Sequence, residues 1–77
     1  MNKARRKMLQ DIIDELDAQR EQIEAVQMEE QDAYDNLPES IQYSERGETM
    51  SENASDLEQA TSDLEDVIST LQEVLER

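Results

Sequence analysis

No cysteine and no histidine occur among the 77 residues. Their absence removes disulfides, thiolate nucleophiles, the usual zinc ligands and the imidazole on which most acid/base catalysis depends. Tryptophan and phenylalanine are also missing, leaving Tyr34 and Tyr43 as the whole aromatic complement. A stacking platform for single-stranded nucleic acid is therefore excluded. Glycine and proline appear once each, at Gly47 and Pro38 near the middle of the chain, so each half is free of the strongest helix breakers. No apolar run approaches the roughly 18 residues of a membrane span. The segment Met1 to Lys7 leads into Asp11 and Asp14 rather than into an apolar leader core, and the chain reads as cytoplasmic.

What is present is a seven-residue apolar repeat in both halves. Leu9, Ile12, Leu16, Ile23 and Val26 mirror Leu71, Ile68, Leu64, Leu57 and Ala54 about position 40. The polar interruption Gln19 mirrors Thr61. This symmetry predicts a single all-α domain over residues 1–77, an antiparallel two-helix coiled-coil hairpin with a first helix over 3–35, a loop over 36–43 and a second helix over 44–76. The first helix carries Leu9, Leu16, Ile23, Glu30 and Leu37 on one line and Ile12, Gln19, Val26 and Ala33 on the other. Ala54, Thr61, Ile68 and Leu75, with Leu57, Leu64 and Leu71, form the seam of the second.

Asn36-Leu37-Pro38 ends the first helix, because proline lacks the amide proton of a helix interior and disfavours helical geometry in the residue before it. Ser44 is the expected N-cap of the second helix, with Glu45 and Glu48 suited to the positive end of its dipole. Gly47 then falls in the first turn, where a glycine is tolerated at about 1 kcal/mol. An eight-residue loop is longer than closure of two helices requires. The favoured reading is a hydrophobic plug over the end of the seam. The other is a recognition loop made of Leu37, Pro38, Ile41, Tyr43 and Arg46.

The stretch Ala33-Tyr-Asp-Asn-Leu-Pro-Glu-Ser-Ile-Gln-Tyr-Ser-Glu-Arg-Gly-Glu-Thr-Met50, with Leu57-Glu-Gln-Ala60 and Leu64-Glu65, resembles a loose group of short, acidic, mostly uncharacterised helical-hairpin proteins of bacteria and their phages. Asn36-Leu-Pro-Glu-Ser-Ile-Gln and Ser44-Glu-Arg46 carry most of that likeness. It implies a phage or mobile-element origin and supplies no catalytic or binding residue.

The formal net charge is -14. Four of the seven basic residues, Lys3, Arg5, Arg6 and Lys7, precede Met8, so the remaining body sets three cations against all 21 carboxylates. In a hairpin the basic N-terminus lies beside Glu73 and Glu76 and offsets the negative end of the second helix dipole. Direct DNA binding is disfavoured by the acidic body. Acidic side chains on the outer faces keep a thin rod apart from wrong partners. Alternatively, a rod about 45 Å long, from 1.5 Å of rise per residue, is an acidic nucleic-acid mimic that inhibits a host DNA-binding or defence enzyme.

No catalytic, metal or cofactor site is legible. Adjacent pairs such as Asp14-Glu15 and Glu29-Glu30 point about 100° apart on a helix and do not converge. Asp56 to Asp66 lacks the glycine and alternating ligands of a calcium loop, and no Glu-x-x-His of a di-iron bundle occurs. The hydroxyls have no histidine to activate them.

A two-helix seam buries each apolar residue on one side only, below the 1.5–3 kcal/mol of full burial, while ordering costs about 1.5 kcal/mol per residue. A partner is expected. Met8 on the first helix and Ala60, Val67 and Val74 on the second widen the stripe along one flank, whereas the other bears Arg20 and Tyr34 facing Glu58 and Glu65, with Ile13 as its apolar exception. The first flank is the expected homodimer interface, completing a four-helix bundle and serving a protein–protein interaction or assembly module.

Overall fold

A computed structural model describes all 77 residues. Three helices occur in order: α1 over Lys3–Asp35, α2 over Glu39–Gln42 and α3 over Glu45–Glu76. The long helices α1 and α3 pack against each other as a hairpin, α2 leans on α3, and the rod measures 59 × 15 × 13 Å. It exceeds the 45 Å expected because 33 residues at 1.5 Å of rise already span about 50 Å, and the connecting turn adds to one end.

The helix ends follow from local chemistry. Asn2 caps α1, its side-chain oxygen accepting from the Arg5 amide at 2.8 Å. This cap is needed because the first turn of α1 holds no acidic residue to balance the dipole. The Asn36 amide closes the last turn onto Asp32 O, and Leu37 onto Tyr34 O. Pro38 then starts α2, where the missing amide costs nothing and its carbonyl accepts from Ile41 and Gln42. Ser44 caps α3: its hydroxyl accepts from the Gly47 amide at 3.4 Å and donates to the Ile41 carbonyl.

Gly47 is buried, and its role differs from the tolerated defect expected of it. A Cβ there would fall within 3.0 Å of the carbonyl oxygens of Ile41 and Gln42, which real side chains essentially never do. The residue lets α2 close onto the first turn of α3.

The seam of α3 runs through Gly47, Met50, Ala54, Leu57, Thr61, Leu64, Ile68, Leu71 and Leu75, all buried or half-buried. On α1 the corresponding line is Leu9, Ile13, Leu16, Arg20, Ile23, Gln27, Glu30 and Tyr34, and Leu37 of the connecting segment continues it. Leu9, Leu16 and Ile23 therefore face α3 as expected, but Ile12, Gln19, Val26 and Ala33 do not; all four are exposed. Their places are taken by Ile13, Arg20, Gln27 and Tyr34, each one residue later. Ile13 is 3% exposed and Ile12 44%. Both registers alternate three- and four-residue steps, so the repeat alone does not separate them; moving one of the two lines by a residue, about 100° on a helix, turns the centre of the buried face by about 50°.

The charged and polar residues explain the choice. With Arg20 in the seam, its guanidinium reaches Asp17 at 3.1 Å, Glu24 at 3.0 Å and, across the hairpin, Glu65 at 3.7 Å. Gln19 offers no such pairing. The expected Gln19–Thr61 layer is therefore replaced: Thr61 is buried and satisfied within its own helix by the Leu57 carbonyl at 3.0 Å, while Gln19 faces solvent. At the other end, Gln42 Nε2 donates to the Tyr34 carbonyl at 3.1 Å, tying α2 to the last turns of α1.

Candidate interaction surface

The two flanks of the hairpin differ in chemistry. One flank holds Asp17, Glu24, Glu58 and Glu65 around Arg20, and between the helices Glu24, Gln27, Glu58, Thr61, Ser62 and Glu65 line a shallow groove of about 280 Å³ with no apolar side chain. The Arg20 guanidinium is held further above its ordinary pKa, first by its hydrogen bond to Asp17 and then by the charges of Asp17, Glu24 and Glu65, against the opposing cost of desolvation. It stays cationic at every accessible pH and ties the flank together. No cluster of three or more acidic side chains converges closely enough to hold a metal ion.

The opposite flank is apolar and uncovered. Ile12 and Val26 on α1 stand exposed at 44% and 52%, and Val67 on α3 at 49%. Ile12 and Val67 each immediately precede a buried isoleucine, Ile13 and Ile68, so each helix presents a pair of which one member enters the seam and the other flanks it. Of the expected interface residues, Met8 is 64% exposed one turn before Ile12, Ala60 and Val67 are exposed, and Val74 is half-buried. Ala60, Val67 and Val74 recur every seven residues on one line of α3. Ile12 and Val26 join them because of the turn of α1, although their spacing alone puts both in the seam. The signal that points to them is the width of the α1 stripe, in which Ile12 and Ile13 are two adjacent apolar positions competing for one place.

The connecting segment places Leu37 and Ile41 half-buried at the end of the seam, with Pro38, Tyr43 and Arg46 exposed. Tyr43 is 76% exposed and, with Tyr34, Gln42, Glu48, Ser51 and Glu52, lines a second shallow cleft of about 300 Å³.

At the open end, Arg6 donates to the Leu75 carbonyl at 2.6 Å, placing a cation on the negative end of the α3 dipole, where no basic residue of α3 itself precedes Arg77 in the last turn. Lys7 pairs with Asp11 at 2.9 Å, which raises the pKa of its amine through the hydrogen bond and the adjacent charge. Both groups are exposed, so solvent and salt screen the pair and it adds little to stability. No helix is long and apolar enough to cross a membrane. No protein-family description, curated protein or solved structure matches this chain.

Proposed function

We propose that this chain is a non-catalytic, acidic coiled-coil module for protein–protein interaction or assembly, of phage or mobile-element origin and cytoplasmic, which completes its core by pairing with a second copy. The observation that carries this reading is the imbalance between core and flank. Only Ile13, Ala54 and Ile68 are buried apolar residues, while Met8, Ile12, Val26 and Val67 lie exposed along one side. The rest of the seam, Leu9, Leu16, Ile23, Leu57, Leu64 and Leu71 among them, is only half-buried, because two helices cover each side chain from one side. Covering the flank supplies the missing burial, and a four-helix bundle is the ordinary way for hairpins to achieve it.

Sedimentation equilibrium tests the proposal directly. The wild-type chain is expected to sediment as a dimer at micromolar concentration, and Val67→Glu with Val74→Glu to sediment as a monomer with a lower melting temperature. A wild-type chain that melts cooperatively as a monomer, with Tm independent of concentration, removes the reading.

The acidic groove between Glu24, Glu58 and Glu65 supports a second reading, that of a nucleic-acid mimic held in a basic channel of a host enzyme. The two are separated by salt. A mimic complex captured from host lysate weakens steeply between low and moderate ionic strength and is displaced by duplex DNA. A partner retained unchanged in high salt is held by the apolar flank.

A further inference from the structure

Resting on the dimer reading above, we infer that the occupant of the apolar flank is a second copy lying antiparallel along the full length of the rod, with the two connecting turns at opposite ends. The long axis of the hairpin is electrically polar. Between Glu29 and Glu52, around the closed end, eight carboxylates face a single cation, Arg46. At the open end Lys3, Arg5, Arg6, Lys7 and Arg77 outnumber the neighbouring Asp11, Glu73 and Glu76. Side-by-side alignment in the same direction sets the two acidic ends against each other, within a Debye length of about 8–10 Å. Inversion of one copy sets each acidic end against a basic one.

The lie of α1 agrees with inversion. A two-fold axis across the middle of the rod, at the level of Gln19 and close to Ala60, brings Ile12 of one protomer to the level of the partner's Val26, so that exposed apolar residues of α1 meet apolar residues. Gln19 then meets the partner's Gln19, and a primary amide, being both donor and acceptor, pairs with itself. Along α3, Ala60 lies nearest the partner's Ala60, and its small side chain permits the close approach that a helix crossing needs, while Val67 and Val74 come level with the partner's Asn53 and the partner's Arg46, whose aliphatic stem can cover them. Arg5 comes to the level of the partner's Ala33, within reach of the acidic turn around Glu29 and Asp32. In the same-direction alternative α1 faces the partner's α3, where Ile12 lies nearest Val67 and Met8 near Val74 but Val26 lies nearest Asn53 and Gln19 nearest Ala60, so apolar matching alone does not choose the direction and the charge polarity of the rod does. Length supports full overlap as well. A rod only 15 Å wide must use most of its 59 Å length to approach the roughly 800 Å² per partner of a stable interface.

The absence of cysteine makes a distance measurement clean. Ser40→Cys, exposed in α2, and Arg77→Cys, at the other end, are each spin-labelled in the full chain and measured by pulsed dipolar spectroscopy. The antiparallel dimer places two Ser40→Cys labels near opposite ends of a 59 Å assembly, and two Arg77→Cys labels likewise. An equimolar mixture of the two variants adds a short distance of about 20 Å, set by helices packed 8–10 Å apart. Short distances within each variant alone, and none added on mixing, overturn the antiparallel arrangement while keeping the dimer. No intermolecular distance in any sample, together with a monomeric sedimentation profile, overturns the dimer reading itself. An intermediate distance within each variant overturns full overlap.

Discussion

Gly47→Ala is expected to destabilise the hairpin by about 1–3 kcal/mol, the usual cost of forcing atoms into a filled space. Intrinsic helix propensity predicts the opposite sign, since alanine is better than glycine by about 1 kcal/mol in a helix interior. Packing wins here because the atoms in the way belong to backbone. The carbonyl oxygens of Ile41 and Gln42 stand where the new methyl would lie, and α2 cannot yield them without leaving α3. Moving α2 also disturbs the Ser44 hydroxyl, which donates to the Ile41 carbonyl and caps the Gly47 amide, and the Gln42 bond to the Tyr34 carbonyl. A chain of this size loses about 4–8 °C of Tm per kcal/mol, so thermal melting followed by circular dichroism reads the effect easily. Ser51→Ala serves as the control, an exposed position one turn further along α3 where the small gain of propensity should appear alone. A rise in Tm for Gly47→Ala would mean that α2 does not close onto α3 as described.

The same residue shows how far sequence reasoning reaches. The helix ends at Asn36-Leu37-Pro38 and Ser44 are legible because they depend on neighbours a few positions away, through proline geometry and a hydroxyl cap. Gly47 looks like a local defect because its reason lies in α2, whose position is known only once the turn is folded. The two long helices, and their packing as an antiparallel pair, follow from a repeat sustained through both halves. The rotation of α1 does not, since Ile12 and Ile13 satisfy the repeat equally. The turned register brings Arg20 into the seam, where its ion pair with Glu65 joins residues far apart in the chain. The candidate surface inherits that ambiguity: Met8, Ala60 and Val67 are recognisable as surplus to the seam, whereas Ile12 and Val26 fit the seam by spacing and leave it only when α1 turns.

Ile13→Ala and Ile12→Ala are expected to separate the two faces of α1. Ile13 is 3% exposed, so truncating it removes buried surface and leaves a cavity against α3, at a cost of about 2–4 kcal/mol. At about 4–8 °C per kcal/mol for a chain of this size, that loss is expected to lower Tm well below that of the wild type. Ile12 is 44% exposed in the hairpin, and its truncation alone leaves the seam intact. The two substitutions differ further in concentration dependence. Because Ile12 is placed in the interface between copies, Ile12→Ala lowers Tm chiefly by weakening association, so the loss shrinks as protein concentration rises by mass action. Ile13→Ala lowers Tm at every concentration, because the damage lies within each protomer. Circular-dichroism melts across a wide range of concentration measure both. Equal, concentration-independent losses would return Ile12 to the seam and restore the symmetric register about residue 40. A larger loss for Ile12→Ala than for Ile13→Ala would require α1 to be turned back by one residue, with Gln19 rather than Arg20 facing Thr61.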